Sequence, residues 1–331
     1  MGGRAFLRHG IESVRYTKNR YLRWERKIKK CFEILGIECD TPMYLRDKES
    51  FGDLDLIIKH GSYDREELTK QIVAVIGHPK VQFSENNSNC HSFLNADGFQ
   101  TDLIYASEGE YYSSLSYFAH NDLGNFLGRI AHHQGLKYGH RGLEIVVRGA
   151  DDKINYKLLL SNDTEKIFEF FGWDYKTFME GFDKIEDMFD FVIMSNHFKG
   201  SAYKYEQLNH KNAVRNKKRV NYNYFMTYIA DKGLDNDDYE VDKDAVFRRA
   251  IKFFDKQERL DVIVAQYEKD KAFRAKFNGH IVMEITNFSG KRLGSFIKEC
   301  LAIDDFKEYV LKASKEEVKR FIMSKYLANE N

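Results

Sequence analysis

The sequence predicts an α+β protein, a mixed β-sheet with helices followed by an all-helical C-terminal domain. Three observations point there. Residues 51–59 (FGDLDLIIK) and 99–105 (FQTDLIY) are short apolar runs with β-branched and aromatic residues, the composition of strands. From about residue 161 strand signals fade, and apolar residues recur at helical spacing. The only prolines, Pro42 and Pro79, lie in the first half, so later helices meet no proline breaker.

Taken in order, Tyr16, Tyr21, Trp24, Ile28, Phe32 and Leu35 space out one face of an amphipathic helix from Ile11 to Leu35, ended by Gly36. A helix is expected at 64–77 between the two strands, with a polar hairpin rich in Asn and Ser around 84–92. Helices follow at 110–119 and 122–135, and a short strand pair at 136–147 turns at Gly139 and Gly142. Further helices are expected at Lys166–Phe171, Ile185–Ile193, Tyr222–Ile229, Val246–Phe254 and Ile297–Val310. The small, polar run Gly149-Ala150-Asp151-Asp152-Lys153 marks a boundary, which gives a catalytic domain over 1–155 and a helical domain over 156–331.

With 43% hydrophobic and 31% charged residues, the chain has the balance of a globular protein and not of a disordered tail. No stretch approaches the roughly 18–20 apolar residues of a membrane span, and no apolar signal core follows Met1-Gly2-Gly3-Arg4. A cytoplasmic protein without a membrane partner is the expectation. Cys31, Cys39, Cys90 and Cys300 form no C-x-x-C pair, so neither a zinc knuckle nor a disulfide framework is suggested. Net charge is +1, so attraction for a polyanion must come from local clustering.

Asp53 and Asp55 are two apart on an expected strand, where alternation puts both side chains on one face and sends Leu54, Leu56 and Ile58 to the core. Gly52 ahead of them allows close approach of the backbone to a ligand. Asp102 lies in a similarly apolar strand, where an unpaired charge is costly. A D-x-D alone also describes a strand edge facing solvent. Three converging carboxylates repel one another unless cations neutralise them, and Mg²⁺ takes carboxylates together with substrate phosphates. Two such ions suit phosphoryl transfer, with Mn²⁺ as the alternative metal.

Ser50 through Ile58 resembles the G-D-[IL]-D strand of the polymerase beta nucleotidyltransferase superfamily, and Asp102 through Leu143 is similar to the family X DNA polymerase stretch. That stretch runs from the third catalytic aspartate through YFTGS and an Asn-bearing helix to a closing Gly-Leu turn, and it lies alongside without a gap. Glu165 through Trp173 resembles a later family segment, so the likeness covers about residues 40–175. It implies a nucleotidyltransferase palm in which Asp53 and Asp55 bridge both metals and Asp102 acts beside the primer hydroxyl. Tyr117, Phe118, Asp122 and Asn125 would pack the sugar and base of the incoming nucleotide, Arg129 would sense the nascent pair, and Arg46 and Lys48 would meet phosphate charge. Tyr117, Phe118 and Phe126 also read simply as core aromatics on a helical face. Two departures stand out. The family's Gly-Ser grip on the triphosphate falls on Pro42 and Met43, and Thr-Gly-Ser is replaced by Ala119-His120-Asn121.

His210, Lys211, Arg215, Lys217, Lys218 and Arg219 form a basic run ahead of Tyr222, Tyr224, Phe225 and Tyr228, which suits a strip that grips a nucleic-acid backbone and stacks bases. The same run also describes a solvated helix face. Ser289 through Gly294 bears a faint similarity to helix starts in the tail of tRNA nucleotidyltransferases. The expected activity is transfer of an NMP or dNMP from a nucleoside triphosphate to a nucleic-acid 3′-hydroxyl. Only about 40 residues precede the palm-like stretch, without the lyase region of repair polymerases, so template-independent addition to RNA or a tRNA-like end is favoured. The alternatives are a minimal family X-like DNA polymerase, or a toxin- or effector-type transferase acting on a protein or small molecule.

Overall fold

The computed structural model describes residues 5–60, 64–77, 81–87, 89–148, 155–236 and 240–330. The expected linker at 149–153 lies outside them.

Strand β1 (Tyr16–Thr17) leads into helix α1 (Lys18–Ile34), which starts later than the apolar spacing suggested because Tyr16 is pulled into pairing with Phe51. Tyr21, Ile28, Cys31 and Phe32 are its buried face, and Gly36 ends it with a left-handed φ of 68°. After β2 (Cys39–Asp40), β3 (Ser50–Phe51) and β4 (Asp53–His60) come α2 (Arg65–Ile76), the hairpin β5 (Val81–Asn87) and β6 (Cys90–Leu94), and β7 (Gln100–Ser107). These strands make a five-stranded sheet of order β2-β4-β7-β6-β5, in which β4 and β7 are parallel neighbours.

Alternation divides the two central strands cleanly. Leu54, Leu56, Ile58, Leu103 and Tyr105 face α1 and α2, where they join Tyr21, Ile28, Phe32, Leu68 and Ile72 in one core. Leu54, Leu56 and Ile58 have no exposed surface, worth roughly 1.5–3 kcal/mol each. Ile57, Ile104 and Ala106 lie on the other face, where Tyr111, Leu115 and Phe118 of α3 (Tyr111–Phe118) cover them. That second face also carries Asp53, Asp55 and Asp102.

Helix α4 (Leu123–His133) follows α3 through a turn in which His120 and Asn121 both have positive φ, 51° and 61°. A hairpin of β8 (Lys137–Gly139) and β9 (Gly142–Arg148) forms a three-stranded sheet with β10 (Asn155–Ser161). Helices α5 (Thr164–Phe171), α6 (Tyr175–Glu180), α7 (Ile185–Ile193), α8 (His210–Lys217), α9 (Val220–Asp231) and α10 (Lys243–Phe253) come next.

The chain divides into two compact units: Met1–Val146 with Leu159–Asp255, and Val147–Leu158 with Lys256–Asn331. This division does not fall at 155/156. Helices α5 to α10 belong with the sheet because Phe126 of α4 is wedged among Phe189, Tyr203, Tyr222 and Phe225. The second unit is helical beyond β10, with α11 (Gln257–Lys276), α12 (Gly279–Thr286), α13 (Gly290–Leu301), α14 (Phe306–Lys312) and α15 (Lys315–Glu330). Its own core gathers Phe277, Val282, Phe296, Cys300, Val310, Val318 and Ile322. The single helix expected over 297–310 is two, because Asp305 takes a left-handed φ of 58° between α13 and α14. The protein is thus α+β with a helical C-terminal region.

Candidate active site

The parallel register of β4 and β7 sets Asp55 directly opposite Asp102 and Asp53 opposite Gln100, so all four side chains share the α3 face. One carboxylate oxygen from each of Asp53, Asp55 and Asp102 lies within 4.8 Å of the others, and all three residues are partly buried. Burial, then Asp53, then Asp102 hold the Asp55 carboxyl well above the usual carboxylate range. Burial and Asp53 lift Asp102 to about 7, against hydrogen bonds from Ser92 and Gln100 that favour its charged form. Three like charges concentrated on an apolar sheet are unfavourable until a cation neutralises them. The donors are all hard oxygen, the set Mg²⁺ or Mn²⁺ prefers. Cys90, on the neighbouring strand, has its thiol pushed up to about 12 by burial and Asp102 and is not part of the ligand cluster found among the described residues.

A cleft of about 230 Å³ opens at this cluster, lined by Asp53, Asp55, Tyr117, Phe118, Asn121, Asp122, Asn125, Arg215 and Arg219, with Asp102 not among the lining residues described. Tyr117 and Phe118 stand edge to face at 5.3 Å, half-buried at the end of α3. Asn125 has a buried amide nitrogen without a hydrogen-bond partner, next to the cleft. Asp122 is 7% exposed and accepts hydrogen bonds from Arg219 and from the Asn221 amide at 3.1 Å. Lys48 donates to Asn121 Oδ1 at 2.7 Å and rides over the Phe51 ring at 4.5 Å. Burial lowers its pKa, while Asp53 and Asp55 pull the other way, which puts Lys48 within the field of the aspartates. Gly52 is the buried bend between β3 and β4.

Other expected site residues lie elsewhere. Arg46 bonds Asp183 and the carbonyls of Glu180 and Gly181, and does not line the cleft. Arg129, 5% exposed, donates to the Ala202 carbonyl at 2.6 Å and contacts His132 Nδ1 at 3.4 Å. In the basic run, only Arg215 and Arg219 reach the cleft. Lys217 lies over Tyr205, while His210, Lys211 and Lys218 are exposed. The aromatics beyond them are not a free stacking strip. Tyr222 and Phe225 are fully buried on the core face of α9, and the hydroxyls of Tyr224 and Tyr228 donate to Glu186 and Asp190.

Gln100 escaped the sequence reading. Its amide nitrogen donates to both oxygens of Asp102 at 2.9 Å, while its carbonyl accepts the Ala5 N–H at 3.0 Å, which fixes the orientation of the amide. At 2% exposed, it is a polar side chain two residues before Asp102 on the same strand face, and that spacing was the available signal. His120 was also missed. It stands where the resemblance expects a small residue, wedged between Phe178 and Phe182 and held neutral by burial, its pKa down to about 4.

None of the family models and none of the curated proteins compared with this chain matches it.

Proposed function

We propose that the chain is a metal-dependent nucleotidyltransferase with a palm-type sheet, moving an NMP or dNMP from a nucleoside triphosphate to a nucleic-acid 3′-hydroxyl. The observation that carries this reading is the β4–β7 register, which gathers Asp53, Asp55 and Asp102, the first two in a cleft that aromatic rings and arginines also line. Asp53 and Asp55 would hold two divalent cations in common, and Asp102 would hold one on the acceptor side. Bound there, Mg²⁺ or Mn²⁺ supplies Lewis-acid activation of a hydroxyl and charge neutralisation at the leaving pyrophosphate. Metal binding would favour the ionised Asp102, whose raised pKa in the metal-free fold comes from burial and Asp53. Tyr117 and Phe118 offer ring faces to a sugar or base, and the free amide nitrogen of Asn125 offers a donor. Lys211, Lys217 and Lys218 supply exposed positive charge for an acceptor backbone, with His210 exposed beside them.

Incubating the protein with Mg²⁺, labelled NTPs and dNTPs, and mixed RNA and DNA oligonucleotides tests the reading. Labelled 3′ ends that vanish in Asp102→Ala are the expected result. Labelling that survives the substitution overturns the metal assignment, and no labelling of any acceptor overturns the activity.

One observation favours a second reading, transfer to a protein or small molecule. A larger cleft of about 630 Å³ is lined by other residues of α3, including Tyr112 and Leu115, together with Asp40, Glu108, Tyr175 and Phe178, and among the described residues no Lys or Arg lines it. Such a surface repels a nucleic-acid backbone and suits a partly apolar, cationic acceptor. Labelled protein bands in a lysate depleted of RNA would support this reading. A lysate in which only nucleic acid is labelled would exclude it.

A further inference from the structure

We propose that Arg215 of α8 is the clamp for the β- and γ-phosphates of the incoming nucleoside triphosphate, a site that rests on the transferase reading above. The loop between β2 and β4 offers a triphosphate few free donors. Pro42 has no N–H to give, and Arg46 is tied to the Glu180–Asp183 turn. Lys48 is engaged with Asn121. A triphosphate anchored through metals on Asp53 and Asp55 therefore finds little uncommitted positive charge on that side.

The opposite wall supplies it. Among the described residues, Arg215 and Arg219 are the cationic side chains lining the cleft, and they share it with Asp53 and Asp55. Arg219 is engaged by Asp122, which fixes the junction of α8 and α9 against the start of α4. Arg215 lies four residues earlier, and its guanidinium has no ion pair or hydrogen bond among the described residues. Two arginines at this spacing repel each other, and Arg215 lowers the pKa of Arg219, after burial as the larger cause. Such a charge, unpaired among the described residues in a cleft that Asp53 and Asp55 also line, suits an anion that arrives with its own cations. An arginine fork matches phosphate oxygens in bidentate fashion, which a lysine ammonium does not.

Position separates this role from that of the rest of the basic run. Lys211 is one helical turn before Arg215 and does not line the cleft, and Lys217 and Lys218 do not line it either. These three remain for the acceptor backbone. Arg215 shares its cleft with Asp53 and Asp55, the carboxylates that would hold the metals beneath a triphosphate.

The test is equilibrium binding to the full chain in Mg²⁺, with each NTP and dNTP, with tripolyphosphate as a base-free probe, and with a single-stranded oligonucleotide. Arg215→Ala, an exposed substitution, is expected to raise the Kd for the preferred nucleotide and for tripolyphosphate at least tenfold, with the oligonucleotide Kd within twofold of wild type. Arg215→Lys should recover only part of the loss. If wild type binds nucleotide and Asp55→Asn abolishes this while Arg215→Ala leaves it unchanged, the clamp is wrong and the transferase reading stands. Arg215→Ala weakening the oligonucleotide alone also overturns the clamp. If wild type binds no nucleotide in Mg²⁺, both proposals fall.

Discussion

Asp102 and Gln100 show what single side chains decide. Asp102 ionises near 3.8 in an unfolded chain and near 7 in the metal-free fold. A raised folded value means that stability is fully present below about pH 4 and is lost as pH rises through about 7. Asp102→Asn is therefore expected to melt higher than wild type at pH 8 without metal, and level with it at pH 4. Adding Mg²⁺ at pH 8 should raise the wild-type Tm and leave the variant's nearly unmoved. A variant that melts at or below wild type at pH 8 would contradict the charge-repulsion account. Gln100 orients the same carboxylate without adding a formal charge, as an outer-shell amide does for a metal ligand. Gln100→Leu should raise the half-saturating Mg²⁺ concentration about 10–100-fold with the nucleotide KM little changed, read from metal titrations of the transfer reaction. An unaltered Mg²⁺ requirement would make Gln100 a packing residue only.

At the scale of elements, two junctions hold the site in place. The Arg219–Asp122 pair, with Asn221 on the second oxygen, pins the α8–α9 junction to the start of α4. Arg219→Ala leaves a carboxylate at 7% exposure with one amide partner, at a cost of about 2 kcal/mol. Urea denaturation should show that loss, and a double-mutant cycle with Asp122→Asn should recover part of it; fully additive effects would deny the pairing. Gly142 opens β9 at a φ of 108°, and a Cβ there would meet the Ser161 carbonyl oxygen at 2.2 Å. Gly142→Ala is expected to destabilise the protein by at least about 2 kcal/mol, since both strain and the close backbone oppose it. The sequence reading put this glycine at a strand turn, but the strand pressing on it from 155–161 was not legible. The apolar pattern of 155–161 looks much the same for a strand and for the start of a helix.

For the whole molecule, the informative quantity is where charge sits rather than its sum of +1. Lys211 and Lys218 are exposed on or beside α8 without ion pairs among the described residues, while Arg219 is neutralised within the fold. Lys211→Glu with Lys218→Glu is expected to weaken oligonucleotide binding and to flatten its dependence on log salt by about one unit for each phosphate that the protein ceases to neutralise. A salt slope equal to that of wild type would remove the acceptor from this surface. Each compact unit has its own apolar core, one built around the sheet with the helices through Asp255 and one from the last five helices. The expected domain boundary missed the first of these because Phe126, Phe189, Tyr222 and Phe225 are far apart in sequence and meet only in space.

By itself, the sequence determined the α+β class, the strands bearing Asp53, Asp55 and Asp102, and the shared face of the first two, because strand alternation is a local property of the chain. Tertiary structure alone decided that β4 and β7 pair in parallel with Asp55 opposite Asp102, since register depends on everything packed against both strands. It also decided that Arg46 and Arg129 turn away from the cleft while Arg215 turns into it. A long charged side chain reaches whatever partner the fold brings near, and no spacing in the chain encodes that choice.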